Sequence, residues 1–157
     1  MPGASNRQDT DERGADARQS GTMSRGKETR ILVVDEFESM RGIIRQILFE
    51  SGFRNIVVAD DGVTALPLLR AGDIGLMITE RNMPRMDGLA LVRAVRADPG
   101  LRHLAVLMLT TEAKRGQIVE AVEAGVSDYL LKPFSPEALL AKVDKLAGGA
   151  GRGAART

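Results

Sequence analysis

The strongest constraint on the fold of this chain is a short apolar segment that recurs five times, each time followed by helix-spaced apolar residues. The five segments are rich in Val, Ile and Leu, and they lie at residues 31–34, 56–58, 74–79, 105–109 and 129–131. Runs of this length indicate strands that are covered by helices on both faces. Strands that alternate with helices form parallel sheets with right-handed crossovers. The sequence therefore predicts an α/β fold with a doubly wound, five-stranded parallel sheet.

The predicted helices have recognisable ends. Asp61 suits the start of the second helix, which Pro67 is expected to interrupt. Gly125 suits the end of the fourth helix, because glycine readily adopts the left-handed conformation that closes helices. Ser135, followed by Pro and Glu, begins the fifth helix, and Gly148 is expected to end it.

The composition excludes several classes of protein. The chain has 157 residues, is 43% hydrophobic and 27% charged, and carries a formal net charge of +1. This balance gives no reason to expect DNA or a membrane as a partner. Cysteine is absent, which excludes disulfides and thiolate metal sites. No apolar run approaches the ~18 residues of a spanning helix, so we expect a cytoplasmic protein.

The two ends of the chain differ from its middle. Residues 1–29 contain almost nothing apolar, so they cannot offset the entropy of ordering and are predicted to be disordered. The Gly-, Ala- and Arg-rich residues 148–157 are predicted to form a flexible tail. One folded domain is therefore expected at residues 30–147.

Polar residues follow four of the five predicted strands. Asp35 and Glu36 follow the first strand, Glu80 the third, Thr110 the fourth and Lys132 the fifth. The carboxyl ends of parallel strands meet at one edge of the sheet, where such folds bind ligands. Clustered carboxylates repel one another unless a cation is present, and oxygen ligands without sulfur or imidazole suit Mg²⁺. Together with the lysine and the hydroxyl, they predict a site for Mg²⁺ and a phosphoryl group.

Four motifs give the chain a resemblance to a known family. The segments VVDE, LMITERNMPRMDG, LTTEAK and LKPF resemble the receiver domain of bacterial two-component response regulators, in its single-domain, CheY-like chemotaxis type. The resemblance covers about residues 30–147. It implies a (βα)5 flavodoxin-like fold and a role in phosphorelay signal transduction. The implied partners are a histidine kinase and the flagellar motor switch protein or another target helix, and no enzymatic activity is expected.

The resemblance also implies roles for individual residues. Glu80 stands where the family has a conserved aspartate that accepts a phosphoryl group from the kinase. Thr110 is implied to move and bond this group, and Lys132 is implied to contact it, with a Lys132–Pro133 bond that is typically cis. The implied ligands of Mg²⁺ are Asp35, Glu36, Glu80 and Asn82, the last through its backbone carbonyl.

Glutamate at position 80 is a departure from the family pattern. Its side chain is longer than that of aspartate by one methylene, about 1.5 Å of extra bond. Because Mg²⁺ and in-line phosphoryl transfer both demand accurate placement, ordinary phosphorylation of Glu80 is not expected. Glu80 could hold the domain active without phosphate as a partial phosphomimetic, or make it an inert docking module under other control. The substitution could be natural or engineered.

The family binds its targets through the fourth helix, the fifth strand and the fifth helix. In chemotaxis regulators this surface binds a helical peptide of the flagellar motor switch, and Tyr129 matches an aromatic residue that turns inward on activation. The implied switch and partner-binding residues are Arg115, Ile118, Tyr129 and Lys142. A basic and apolar surface of this kind suits an acidic amphipathic helix. Alternatively, Ile118 belongs to the core and the charges form a solvated helix face.

Two other functions are alternatives. A nucleotide second messenger could be held by arginine side chains, which bind phosphates in a bidentate way. The arginines available around the third and fourth helices are Arg81, Arg85, Arg93, Arg96 and Arg115. A Mg²⁺-dependent phosphohydrolase could use a similar sheet. That enzyme class is disfavoured, because it commonly needs a second aspartate two residues after its nucleophile, and neither Asp35 nor Glu80 is followed by one.

Overall fold

The computed structural model describes residues 26–111 and 114–156, and for residues 149–156 only the course of the backbone. Strands and helices alternate along the whole domain. The strands are β1 (Arg30–Val34), β2 (Ile56–Ala59), β3 (Ile74–Glu80), β4 (Ala105–Thr110) and β5 (Asp128–Leu131). The helices are α1 (Glu38–Glu50), α2 (Gly62–Arg70), α3 (Gly88–Ala97), α4 (Arg115–Ala124) and α5 (Pro136–Arg156).

The sheet confirms the predicted fold class. All strand pairs are parallel and the spatial order is β2-β1-β3-β4-β5. The chain therefore winds outward in one direction from β1 to β2 and in the other from β3 to β5. Helices α1 and α5 cover one face, and α2, α3 and α4 cover the other. The strand order reverses between β1 and β3, and in such sheets this is where ligands bind.

The strands are apolar throughout because each of their faces is buried against helices. In β1, Leu32 and Val34 pack with α2, α3 and α4, whereas Ile31 and Val33 pack with α1 and α5. All four are essentially inaccessible to solvent. Burying one such side chain contributes roughly 1.5–3 kcal/mol, so a polar replacement in β1 would weaken both halves of the core.

The helix ends follow most of the sequence signals. The Asp61 carboxylate accepts a hydrogen bond from Thr64 N at 3.0 Å, Gly125 has a φ of 109°, and Ser135 Oγ accepts from Ala138 N at 3.1 Å. The predicted interruption of α2 at Pro67 is wrong, because the helix runs unbroken past it. Proline removes one backbone donor from a helix, and in this short, otherwise apolar helix the packing outweighs that loss.

Two predicted segment ends differ from the described structure. The helix that we expected to end at Gly148 continues to Arg156. Residues 148–156 contain four glycines, each of which costs a helix about 1 kcal/mol relative to alanine, and no described contact explains the extension. At the other end, residues 26–29 are ordered rather than disordered. Lys27 bonds Ser51 Oγ at 3.1 Å and lies over the Phe53 ring. Residues 1–25 lie outside the described part of the chain.

In the described ranges, no helix combines the length and the apolar character that crossing a bilayer requires.

Candidate functional site

Three polar side chains meet at the carboxyl edge of the sheet. Asp35 directly follows β1, Glu80 is the last residue of β3, and Lys132 directly follows β5. The parallel register brings the ends of β1 and β3 side by side, with Val34 opposite Thr79. Lys132 comes from the far strand, and its backbone N–H donates to the carbonyl of Thr110 at 2.8 Å. The Lys132–Pro133 bond is cis, as expected.

The ammonium group of Lys132 joins the two carboxylates. Lys132 Nζ lies 2.6 Å from Glu80 Oε1 and 3.1 Å from Asp35 Oδ2. Asp35 is almost fully buried, and the side chains of Lys132 and Glu80 are each 11% exposed. The Coulomb attraction between charges shielded from water is stronger than at the surface. The protein therefore supplies a cation between the two carboxylates itself, in the form of the Lys132 ammonium group.

The pKa of Lys132 reflects this position. Burial alone would lower the pKa of the ammonium group, because the charged form loses its hydration. The hydrogen bonds and charges of Glu80 and then of Asp35 outweigh burial and raise the pKa above its ordinary value of 10.5. Lys132 is therefore a fixed positive charge at any physiological pH.

The second oxygen of Glu80 is also engaged. Glu80 Oε2 accepts hydrogen bonds from the backbone N–H groups of Arg81, at 2.5 Å, and Asn82, at 3.3 Å. Together with Lys132, these donors hold both oxygens of the carboxylate at the edge of the sheet. The extra methylene of glutamate allows the side chain to turn back on its own loop while it still reaches the lysine.

The loop between β3 and α3 is fixed to its surroundings. Gly88 N donates to the Arg81 carbonyl at 2.8 Å, and a Cβ at Gly88 would lie only 2.1 Å from the carbonyl oxygen of Glu80. Any other residue at 88 would therefore displace the backbone of Glu80. On the other side, Arg85 Nε donates to Asp61 Oδ2 at 2.5 Å. The loop that follows Glu80 is consequently bonded to the start of α2.

We expect the Asp61–Arg85 ion pair to make the free energy of unfolding depend on pH. The Thr64 N–H, opposed by burial and aided by Arg85, lowers the pKa of Asp61 below 3.8 in the folded state. A lowered pKa in the folded state gives stability that is present above the unfolded value and is lost as the pH falls through the folded value. Urea unfolding of the protein and of Asp61→Asn should therefore differ at neutral pH, and the difference should shrink below about pH 4.

The control for this prediction is Asp60→Asn. Asp60 is exposed and adjacent in sequence. Its substitution should have a small effect, within about 0.5 kcal/mol of the parent. A difference between the parent and Asp61→Asn that is the same at pH 7 and at low pH would contradict the role assigned to this carboxylate.

The other predicted site residues differ in their exposure to solvent. Thr110 is buried at the end of β4, whereas Glu36 and Asn82 are exposed. Across the described ranges, no three His, Cys, Asp or Glu side chains are grouped closely enough to hold a metal ion. The donor atoms still suit Mg²⁺ in kind, since they are carboxylate oxygens. Of the four implied ligands Asp35, Glu36, Glu80 and Asn82, the carboxylates of Asp35 and Glu80 are the two that meet at Lys132.

The predicted partner-binding residues lie on α4, β5 and α5, around the last strand of the sheet. Arg115 is exposed, Ile118 is half-buried, and Tyr129 is half-buried against the core under α2, α3 and α4. The Lys142 ammonium is held by both oxygens of Asp128 at 3.0 Å.

The buried side chains of α4 are the small Ala121 and Ala124. This helix also exposes two valines, Val119 and Val122, with 45% and 58% of their surface accessible.

Most of the arginines considered for nucleotide binding are engaged by the protein. The Arg81 side chain bonds Gln117 and Glu120, and Arg85 bonds Asp61. The Arg96 guanidinium donates to the carbonyls of Gly125, Arg102 and Leu104 at 2.6–2.9 Å. Guanidinium groups that already bind protein acceptors are poorly placed to grip phosphates.

Two contacts at the site had no signal in the sequence. Arg41 Nη1 donates to the backbone carbonyl of Asp35 at 2.6 Å and so fixes the loop after β1. The Arg81 side chain reaches across to α4. The sequence placed Arg81 only among the arginines that could hold a nucleotide, and nothing local pairs it with a glutamate 39 positions later.

A doubly wound parallel sheet with acids and a lysine at the switch in strand order defines the class of this domain, a flavodoxin-like α/β domain with a polar edge site. A family model described as the response regulator receiver domain matches residues 31–144. The chain is 52% identical over 117 residues to the chemotaxis protein CheY of Pseudomonas aeruginosa, covering 74% of this chain and 94% of that protein. It therefore belongs to the response regulator receiver domain family, and the CheY-like resemblance is confirmed.

The chain is also similar to other chemotaxis proteins and receiver domains. The chain is 50% identical over 120 residues to chemotaxis protein CheY-3 of Vibrio cholerae, covering 76% of this chain and 92% of that protein. The solved chemotaxis response regulator CheY4 of Vibrio cholerae has a TM-score of 0.71 at 32% identity, covering 76% and 98% of the two chains. The receiver domain of histidine kinase PA1611 from Pseudomonas aeruginosa has a TM-score of 0.71 at 26% identity, covering 77% and 98%. It holds a magnesium ion in its active-site cleft.

Proposed function

We propose that this receiver domain signals in chemotaxis by binding a target protein, without enzymatic turnover and without depending on phosphorylation of residue 80. The single observation that carries the proposal is the contact of Glu80 Oε1 with Lys132 Nζ at 2.6 Å. The resemblance gives this lysine the task of contacting a phosphoryl group on residue 80. In this structure, the Glu80 carboxylate already forms an ion pair with the Lys132 ammonium group.

The hydrogen bonds of Glu80 argue against its acting as a phosphoryl acceptor. One oxygen binds Lys132 and the other accepts two backbone N–H groups. To attack a phosphorus atom, a carboxylate oxygen must leave such donors and align with the leaving group, and a misplacement of ~1 Å can lower the rate ~100-fold. A histidine kinase that recognises this domain would then bind it without transferring phosphate, so the two would be uncoupled.

The proposal includes binding of Mg²⁺ with a reduced affinity. The family fold accommodates the ion, as the magnesium in the PA1611 receiver domain indicates. In this chain, the Lys132 ammonium bonds both Asp35 and Glu80. Because a cation competes with this ammonium for the same oxygens, we expect Mg²⁺ to bind more weakly here than in a Glu80→Asp variant. The ion would supply charge neutralisation at the carboxylates.

The target surface is proposed from α4, β5 and α5. Val119 and Val122 expose apolar surface on α4, and Arg115 places a positive charge at the start of that helix. This combination suits an acidic amphipathic helix, whose apolar face would cover the valines. CheY relatives in two species carry the name of chemotaxis proteins. The proposed target is therefore the flagellar motor switch protein, and the place of action is the cytoplasm.

A binding experiment tests the proposal. The affinity of the purified chain for the motor switch peptide of its own organism is measured by calorimetry, with and without acetyl phosphate and Mg²⁺. We expect the unmodified chain to bind equally in both conditions, within about twofold (less than ~0.5 kcal/mol). Glu80→Asp, as the matched variant, should bind more tightly only when the phosphodonor is present.

Two results would contradict the proposal in different ways. Tighter binding of the unmodified chain with the phosphodonor, by about tenfold (~1.4 kcal/mol), would restore an ordinary phosphorylation switch. Absence of binding under every condition, for both the parent and Glu80→Asp, would refute the motor switch as the target.

A further inference from the structure

Strand β2 lies at an edge of the sheet. Among the described strands, it pairs with β1 alone. The carbonyls of Asn55 and Ala59 accept hydrogen bonds from backbone N–H groups in β1 and directly after it, at 2.8 and 3.1 Å. Because successive residues of a strand direct their backbone groups to alternate sides, the N–H and C=O groups of Ile56 and Val58 face outward. Groups directed outward from such an edge can pair with a further strand.

A groove of about 500 Å³ runs beside this edge, between α1 and β2. It is lined by Gly42, Arg45, Gln46, Phe49, Arg54 and Ile56. The Phe49 side chain is 51% exposed. A Cβ on Gly42 would meet nothing within 4 Å, although glycine is among the least favourable residues within a helix. Packing in the described part of the chain therefore gives no reason for this glycine, which leaves the groove open to an occupant.

Opposite charges flank the strand. Arg54 precedes β2 and Asp60 follows it, and both are exposed. Within the described ranges, the hydrogen bond from Thr64 and the ion pair with Arg85 both involve Asp60 Oδ1, which leaves Oδ2 for a further partner. Alternation along the strand places Arg54 and Asp60 on the same face as Ile56, which packs against the core under α1 and α5. A strand with a positive and a negative end on one face is complementary to a reversed copy of itself.

We propose that a second copy of this chain occupies the β2 edge, with the two β2 strands antiparallel about a two-fold axis. Two copies that use the same edge are related by such an axis, and pairing about it makes the strands antiparallel. Outward-facing residues then lie opposite each other. The centre of the pairing is consequently Ile56 with Ile56, Ile56 with Val58, or Val58 with Val58.

The charges select one of these three registers. With Ile56 opposite Val58, Arg54 of each copy lies opposite Asp60 of the other, and opposite charges across two strands stabilise the pairing. With Ile56 opposite itself, Arg54 meets Val58. With Val58 opposite itself, Asp60 meets Ile56. In the selected register each Ile56–Val58 pair exchanges two backbone hydrogen bonds, and Val57 lies opposite Val57 on the axis.

The proposed dimer leaves the target surface exposed. The surface of α4, β5 and α5 lies around β5, at the opposite edge of the sheet from β2. The dimer therefore carries two such surfaces on its outer sides, and two linked surfaces bind a clustered target more tightly than one. Only this consequence rests on the proposed function.

Sedimentation velocity of the full chain tests the dimer. The weight-average mass should rise toward that of two chains between about 5 and about 500 μM, because association depends on concentration. Arg54→Glu should weaken association by at least about tenfold, since it places like charges opposite each other. Combining it with Asp60→Arg should restore the affinity to within about threefold of the parent. Arg93→Glu, the same change of charge at an exposed position of α3, should leave association unchanged.

Disulfide formation tests the register. The chain has no cysteine, so a single introduced thiol reports on one position. In the proposed register Val57 lies opposite itself at a Cα distance of about 4.5 Å, within the roughly 4.4–6.8 Å that a disulfide spans. Ile56 of one copy lies diagonal to Ile56 of the other, at ~7–8 Å. Under mild oxidation Val57→Cys should therefore cross-link at least about ten times faster than Ile56→Cys.

A monomer at every concentration would overturn the proposal. Association that Arg54→Glu does not weaken, or that the exchange of charges does not restore, would overturn it as well. So would cross-linking of Val57→Cys that is no faster than that of Ile56→Cys. The charge variants lie on the surface, where substitutions rarely unfold a domain, so they decide the question when a cysteine variant fails to fold. None of these results depends on a target peptide or on phosphorylation.

Discussion

Replacing Glu80 by aspartate should raise the rate of phosphorylation by acetyl phosphate by at least about 100-fold. The shorter side chain withdraws the carboxylate by about one C–C bond, ~1.5 Å. It can then no longer reach Lys132 Nζ as closely as the present 2.6 Å. The ammonium is released to contact an incoming phosphoryl oxygen, and Asp35 gains freedom to bind Mg²⁺.

A time course of the phosphorylated fraction, with and without Mg²⁺, measures this gain. Glu80→Gln is the matched control, because it keeps the length of glutamate and lacks a nucleophilic carboxylate. We expect the aspartate variant to react only when Mg²⁺ is present. Equal and slow reaction of the parent and the aspartate variant would show that the length of residue 80 does not limit transfer.

Replacing Lys132 by methionine should lower the free energy of unfolding by about 3 kcal/mol at neutral pH. The substitution leaves two shielded carboxylates, Asp35 and Glu80, close together without the ammonium that bonds both. Removing one partner from a shielded ion pair costs more than the pair itself contributes, because an uncompensated charge stays behind. The same charge should attract a divalent cation, so millimolar Mg²⁺ should restore part of the lost stability.

Lys142→Met is the control for this second prediction. Lys142 also bonds a carboxylate, Asp128, but with 35% of its side chain exposed. A pair this accessible contributes roughly 0–1 kcal/mol, and Mg²⁺ should not alter the variant. Denaturant unfolding with and without Mg²⁺ measures both effects. A loss below about 1 kcal/mol for Lys132→Met, with no response to Mg²⁺, would contradict the bridging role of Lys132.

The sheet and the place of the site could be predicted because they depend on local patterns. Apolar runs and helix-spaced residues determine which segments become strands and helices, and a parallel sheet brings the strand ends to one edge. Asp35, Glu80 and Lys132 were expected to meet there, and they do. Caps such as Asp61 and Gly125 are likewise local, since the relevant groups lie within a few residues.

The pairing within the site could not be read from the sequence. Lys132 lies 97 residues from Asp35 and 52 from Glu80 in the chain, and its choice of partners depends on side-chain reach at the finished edge. The contact of Arg81 with Glu120 has the same origin. The prediction at Pro67 was wrong because packing of α2 outweighs one missing backbone hydrogen bond. The continuation of α5 past Gly148 has no such explanation, because four glycines lie in residues 148–156.

The intact mass of the unmodified chain, after incubation with acetyl phosphate and Mg²⁺, tests the central claim most directly. We expect no adduct of about 80 Da, the mass of one added phosphoryl group, under conditions in which Glu80→Asp acquires one. An adduct on the unmodified chain that fragment analysis assigns to Glu80 would contradict phosphate-independent signalling. It would mean that the Glu80–Lys132 pair opens readily and that residue 80 is an ordinary phosphorylation switch.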